Sequence, residues 1–380
     1  KPGCVGATAK HFIAYGAAEA GRDYAAVDVS ERQLAEIFLP PFKAAVEAGV
    51  AAIMPAFNDL AGVPMTAHAA LLDGLLRKRW RFDGVLVSDY TAVLELLNHG
   101  VAADLTEAAA MAINAGVDID MMSQAYVACL PEALERGLVS MATIDVAVAR
   151  VLALKERLGL FDDPYREGPA LTPKDFAGHR ALAREAAVQS IVLLQNKRDV
   201  LPLGPSVRRV AVIGPLADRP QDMLGSWAGA GDKSTVVTFL DGLRDALPDA
   251  EIRVARGVPL ESDDMSGLAD AIRAARDADI VLLCVGENDH MSGEASSRVH
   301  PGLPGRQKEL VEAVLALGRP SVVTLSSGRP LILPWLMEQA DAVLATWQLG
   351  HEAGRALADV LTSAREPGGR LPVSWPWAVG

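Results

Sequence analysis

The run Gly84-Val-Leu-Val-Ser-Asp-Tyr90 carries the first residue able to do chemistry. Apolar residues extend from Val85 to Val87 and stop at Ser88-Asp89, the pattern of a strand buried on both faces whose C-terminal end delivers a carboxylate into a cleft. Asp89 is therefore a candidate nucleophile. It also suits an N-cap for a helix beginning near Thr91, since aspartate is a favoured cap at a strand-to-helix junction, and position alone leaves both readings open. Two further groups have the right chemistry. Lys10-His11 closes an early apolar stretch, and a histidine beside a strand-end lysine reads as a ligand contact more readily than as a satisfied core histidine. The polar loop Gly286-Glu-Asn-Asp-His-Met-Ser-Gly-Glu-Ala-Ser-Ser-Arg298 offers Glu287 and Glu294 as groups able to give or take a proton.

The elements that must hold these residues alternate strand and helix. Residues 1–160 show short apolar strands at 5–10, 50–54, 85–88 and 117–121. Helical periodicity follows at 30–48 (with Ser30 as cap), at 67–80, at Thr91 with 104–115, and at 126–158. Repeated β/α units predict parallel strands covered by helices, and four of them make half of an eight-stranded barrel. In such barrels the chemistry sits at strand C-termini, which here bring Lys10-His11, Met54 to Asn58, Asp89-Tyr90 and Asp120-Met121 together. A Gly, Pro, Asp and Thr-rich stretch at 161–178 reads as a linker. Residues 179–380 then predict an open α/β sandwich, with strands at 191–194, 210–214, 252–255, 280–285, 321–325 and 342–346. Its helices fall at 239–246, 268–275, 305–317, 333–339 and 352–362. The loop carrying Glu287 and Glu294 lies beyond a strand C-terminus, where ligands gather on such sheets.

Composition narrows the partners. Of 380 residues half are hydrophobic and 22% charged, so the chain is globular and long enough for two domains. A net charge of -12 and a pI near 5.1 disfavour nucleic acid and anionic membrane surfaces, both polyanionic. No apolar run reaches the roughly 18 residues that span a bilayer. There is no phosphate loop and no Gly-x-Gly-x-x-Gly after a strand, which leaves a flavodoxin-like ligand-binding role with little support. Cys4, Cys129 and Cys284 lack metal-ligand spacing and read as buried free thiols. His68, His99, His179, His300 and His351 show no metal spacing either.

Taken in order, Lys10-His11-Phe12, Gly21-Arg-Asp-Tyr24, Val87-Ser-Asp89 and Gly293-Glu-Ala-Ser-Ser-Arg298 resemble family-3 glycoside hydrolases, in particular bacterial periplasmic β-glucosidases. The likeness extends to Ser30-Glu31-Arg32, Leu39-Pro-Pro-Phe42, Gly159-Leu-Phe-Asp-Asp-Pro-Tyr165, Gly214-Pro-Leu-Ala-Asp218, Gly225-Ser-Trp227 and Pro367-Gly-Gly-Arg-Leu-Pro372. Any one motif is weak, whereas the ordered set is specific. The resemblance implies retaining hydrolysis of β-glucosides without cofactor or metal, with Asp89 as nucleophile, Glu294 as acid/base, and Lys10 and His11 on sugar hydroxyls. It also implies a periplasmic or secreted location. β-Xylosidase and exo-β-glucanase are the near variants. A fragment that only binds carbohydrate is the reading from a different class.

The physical chemistry agrees with that assignment. Retention needs two carboxyl groups about 5 to 5.5 Å apart, one ionised and one protonated. Lys10 beside Asp89 is expected to favour the ionised nucleophile. Glu287, nearer the strand end than Glu294, is assigned to binding or orientation, and Arg298 is either a bidentate partner of a carboxylate or a solvated loop residue. Phe57 and Tyr90 are expected to line the sugar site through their ring faces, and Trp227 reads as packing or platform. Met54 and Met121 read as barrel packing, with Met54 the one assigned to substrate contact. Arg22 and Asp23 are assigned to sugar binding from a loop after the first strand. Relatives in the resembled family begin well before the Lys-His motif and continue past the C-terminal Trp375-Pro-Trp377. A half barrel leaves two open apolar edges, so a longer polypeptide or a partner chain is expected to complete it. Homodimerisation is a separate expectation.

Overall fold

The computed structural model describes residues 5–165 and 171–379. The chain start at Lys1-Pro2-Gly3, Cys4, and residues 166–170 of the expected linker lie outside the described residues. The chain divides into two compact units, Lys1–Ala170 and Leu171–Gly380.

The N-terminal unit is the C-terminal half of a (β/α)8-type barrel. Strands β1 (Thr8–Phe12), β2 (Ala52–Pro55) and β3 (Val85–Leu86) form a parallel sheet in the order β1-β2-β3. Ile53 and Leu86 are fully buried with Phe12 in one apolar cluster, which accounts for their unbroken hydrophobic runs. The fourth strand, expected at 117–121, is reduced to a single bridge between Val87 and Ile119. Backbone bonds nevertheless carry the ladder onward, from Ser88 N to Ile119 O at 2.9 Å and from Thr91 N to Met121 O at 2.8 Å.

Helices follow the strands with modifications that the sequence explains. Ser30 caps its helix by accepting from Gln33 N. The expected single helix at 126–158 is two, Ala125–Glu135 and Met141–Arg157, broken where Gly137 takes φ 67° and Ser140 caps a new start. Asp104 caps Leu105–Ala115, whose small buried residues let it pack close.

The C-terminal unit is an α/β sandwich. Its strands are β4 (Val192–Asn196), β5 (Arg209–Ile213), β6 (Glu251–Ala255), β7 (Ile280–Gly286), β8 (Ser321–Ser326) and β9 (Ala342–Ala345), in sheet order β4-β9-β8-β7-β5-β6. All pairings are parallel except β4 with β9. Alternate residues feed two cores. Val212, Leu282, Cys284 and Val322 pack on one face, while Ile213, Leu283, Val285 and Val323 pack on the other. A helix Pro173–Ser190 occupies the end of the expected linker and the start of this unit. Thr172 and Asp175 form its capping box, with Pro173 at the first turn.

Candidate active site

Asp89 stands where a short strand ends, and the chain spends several interactions to fix that end. Strand β3 has only two residues, so its ladder is reinforced by a buried ion cluster. Asp118 Oδ2 accepts from Leu86 N at 2.8 Å and from Arg77 Nη2 at 2.5 Å, and its Oδ1 accepts from Arg150 Nη1 at 3.0 Å. Arg77 also donates to Phe82 O and Gly84 O, stitching the turn into β3. Burial pushes the Arg77 guanidinium below its ordinary pKa, and the charge of Asp118 opposes that shift. Past the strand, Ser88 Oγ donates to Asp89 O at 3.0 Å and accepts from Met121 N at 2.8 Å.

The three aspartates of this region have different occupations. Asp118 has no exposed side-chain surface and both oxygens paired with arginine. Asp120 Oδ2 accepts from Ala125 N at 2.8 Å and Tyr126 N at 3.4 Å, so it caps a helix whose own N-cap residue, Gln124, makes no side-chain bond. Burial, then the charges of Asp120 and Asp118, push the Tyr126 phenol well above its ordinary value, and its hydroxyl donates to Val117 O. Asp89 is also buried, at 7% exposure, yet among the described residues its side chain holds one hydrogen bond, from Tyr90 N to Oδ1 at 2.8 Å. Oδ2 accepts none among the described residues and faces His11 Nε2 at 3.3 Å. A cap would accept from the second or third helical N–H, and Asp89 does not, so the capping alternative fails on geometry. A buried carboxylate oxygen left without a donor beside an imidazole is suited to attack an electrophilic centre.

His11, on β1, places Nε2 3.3 Å from Asp89 Oδ2, a contact that is an ion pair only when the imidazole is protonated. Lys10, expected there, is exposed and forms no ion pair with Asp89 among the described residues. The Lys10–His11 and Phe12–Ile13 peptide bonds are cis. An aromatic chain backs the histidine: His11 and Tyr15 ring centroids lie 5.5 Å apart, Tyr15 and Phe57 6.4 Å, and Phe57 and Tyr24 4.9 Å. Phe57 and Met54 are buried, at 8% and 6% exposure, whereas Tyr90 is 56% exposed. Of the two aromatics expected to offer a ring face, Tyr90 is exposed, whereas Phe57 is buried against Tyr15 and Tyr24. Arg22 is exposed and Asp23 half-buried on the turn before Tyr24. The sequence does not single out Tyr15, because an isolated tyrosine three residues beyond a strand carries no motif.

In the C-terminal unit Glu287 and Glu294 are distinguished by exposure. Glu287 is 1% exposed, and both its oxygens are occupied. Oε1 accepts from Arg298 Nη1 at 2.5 Å, and Oε2 accepts from Ser327 Oγ at 3.1 Å and Arg329 Nε at 3.2 Å. Arg298 is therefore a carboxylate partner through one nitrogen, and not a solvated residue. Glu294 is exposed on the loop. Gly293 before it takes φ 104° with Ser226 so close that a Cβ would sit 2.9 Å from that side chain, so only glycine fits. The loop rests on the segment 219–227, where Ser226 Oγ donates to Ser292 O at 2.6 Å. There Asp222 accepts from Asp289 N at 3.1 Å and Arg219 Nε at 2.7 Å. Burial raises the Asp222 carboxyl above its ordinary value, and Arg219 opposes the shift. Trp227 is 75% exposed beside this loop, which excludes a packing role. Among the described residues no group of three His, Cys, Asp or Glu could hold a metal ion.

The fold is that of a two-unit α/β protein, a half barrel with a strand-end carboxylate and a sandwich with an exposed loop glutamate. Models of the glycosyl hydrolase family 3 N terminal domain and C-terminal domain match residues 3–154 and 191–380. The chain belongs to glycoside hydrolase family 3. It is 42% identical to the periplasmic beta-glucosidase of Salmonella typhimurium, covering 98% of this chain and 52% of that protein. It is 38% identical to a beta-xylosidase of Formosa agariphila, covering 98% and 54%. The solved beta-glucosidase of Listeria innocua in complex with isofagomine superposes with a TM-score of 0.87 at 41% identity, covering 98% of this chain and 52% of that one. The chain thus spans about half the length of the relatives it matches.

Proposed function

We propose that this chain carries the nucleophile and the acid/base of a retaining β-glucosidase. In the first step Asp89 Oδ2 attacks the anomeric carbon as the bond to the aglycone oxygen breaks, and Glu294 gives that oxygen its proton. In the second, Glu294 takes a proton from water as the water attacks the same carbon and releases Asp89. The observation that carries the reading is that Oδ2 of buried Asp89 accepts no hydrogen bond among the described residues and faces only the His11 imidazole there, set against the full structural commitment of Asp118 and the capping role of Asp120. Glu294 is preferred over Glu287 because an acid must reach the departing oxygen, and Glu287 has no exposed side-chain surface. His11 lies where it can hold a hydroxyl of the sugar bonded to Asp89. Tyr90, Arg22, Asp23 and Lys10 are the exposed or half-exposed groups left to bind the rest of the sugar. Likeness to the Salmonella protein favours a periplasmic site of action and a glucoside substrate.

In catalytically competent protein, Asp89→Ala abolishes hydrolysis of an activated aryl β-glucoside, and a fluorosugar inactivator labels Asp89 in the unsubstituted chain. Labelling at Asp118 or Asp120 sinks the assignment. The β-xylosidase reading has its own support in the Formosa relative, and an aryl β-xyloside turned over faster than the glucoside selects it.

A further inference from the structure

Glu294 sits in an irregular loop, and an acid/base held by such a backbone needs something else to fix it, since misplacement of about an ångström costs orders of magnitude in rate. One side chain reaches both flanks of it. Arg329, just past the end of β8, donates through Nη2 to Ser296 O at 2.6 Å and to Met291 O. These carbonyls lie two residues after and three residues before Glu294. Its Nε donates to Glu287 Oε2 at 3.2 Å, so the same guanidinium is anchored to the carboxylate that follows β7. Ser327 Oγ lies 3.1 Å from that oxygen and 2.6 Å from Arg329 O, two acceptors that share its one proton, and it closes the turn by accepting from Arg329 N at 3.0 Å. Arg298, on the far side of the loop, completes the cluster through Glu287 Oε1 and Gly302 O. Glu287 is wholly buried, and the two arginine side chains are 21% and 22% exposed. The cluster is therefore largely withdrawn from solvent, and its donors point to the loop backbone.

We propose that Arg329 is a positioning residue for the Glu294 carboxyl group, clamping residues 291–296 against the strand ends with Glu287 as its anchor. The inference rests on the acid/base reading of Glu294. The planar fork of arginine spans three acceptors at fixed angles. A lysine at the same place keeps the charge but has one donor nitrogen on a flexible stem, so it cannot bond Glu287 through one nitrogen and the two carbonyls through another, as Nε and Nη2 of Arg329 do. Arg329→Lys therefore separates clamping from ion-pair stability.

The test compares Arg329→Lys, Arg329→Gln and Glu294→Ala with the unsubstituted enzyme in catalytically competent protein. It reads amide hydrogen exchange and turnover of cellobiose against 2,4-dinitrophenyl β-glucoside. In Arg329→Lys, exchange across 291–298 accelerates at least about tenfold while β7 and β8 are unchanged. Cellobiose turnover falls by about two orders of magnitude, and the dinitrophenyl substrate, whose leaving group needs no proton, loses less than about tenfold. Arg329→Gln shows the same split. Unchanged exchange, or equal loss on both substrates, overturns the inference. An Arg329→Lys protein that fails to fold also overturns it, because the residue then serves the sheet and not the loop. If Glu294→Ala lacks the split and azide does not rescue it, the acid/base reading falls and takes this inference with it. If Glu294→Ala splits and Arg329→Lys does not, only the positioning role falls.

Discussion

Two aspartates at neighbouring strand ends should respond oppositely to the loss of one charge. Asp118→Asn keeps an acceptor for Leu86 N but removes the negative partner of Arg77, whose side chain is 6% exposed, and of Arg150. Leaving a buried guanidinium without its counter-ion costs about 3 to 5 kcal/mol. At about 2 to 4 °C per kcal/mol for a domain of this size, the Tm of the N-terminal unit falls by roughly 6 to 20 °C. Asp89→Asn is different. Its Oδ1 bond to Tyr90 N survives as a neutral bond and its Oδ2 has no hydrogen bond to lose, so the cost is held to about 1 kcal/mol or less. Scanning calorimetry with a parallel aryl β-glucoside assay reads both. Asp89→Asn should melt within a few degrees of the unsubstituted protein and be inactive. Equal destabilisation by the two substitutions would show that Asp89 is structural, and an Asp118→Asn protein melting at the unsubstituted temperature would show that the buried cluster does not hold β3.

Two further outcomes follow from ionisation. Asp279 accepts from Arg208 N, Arg209 N and Arg209 Nη2, and these bonds lower its carboxyl to about 2. A depressed folded-state pKa contributes stability above the ordinary carboxyl value that is lost as pH falls through the folded one. The Tm deficit of Asp279→Asn at pH 7 should therefore shrink between about pH 4 and pH 2, and a deficit that grows on acidification contradicts the linkage. Burial pushes the Cys284 thiol up to about 12, while Cys129 is half-buried. Brief alkylation of folded protein at pH 8 should modify Cys129 and spare Cys284 by peptide mass, and early labelling of Cys284 would show that β7 opens.

What the sequence by itself determined was the pattern that burial imposes. The unbroken runs at Val85 to Val87 and Ile280 to Val285 mark strands covered on both faces, and the four inner strands of the C-terminal sheet are legible for that reason, whereas the edge strands β4 and β6 are partly exposed and mix polar with apolar residues. Where a local signal competes with the composition around it, the composition masks it. Thr172-Pro-Lys-Asp175 is a capping box with proline at the first turn, yet the surrounding glycine and proline made the start of Pro173–Ser190 read as linker. Gly137 and Ser140 likewise divide what periodicity alone joins into one helix. The candidate nucleophile is visible as a strand-end carboxylate, but periodicity does not distinguish Asp89 from Asp118 or Asp120, since all three lie within or at the end of stretches that read as strands. That distinction belongs to tertiary structure. Arg77 and Arg150 arrive from elements 41 and 32 residues away to occupy Asp118, and no spacing rule encodes such a meeting. The same holds for His11 taking the place expected of Lys10, and for Arg329 reaching Glu287 from 42 residues downstream. Which carboxylate is free to react is decided by which ones the fold has already used, because a buried carboxylate paired with arginine loses its freedom to approach a substrate.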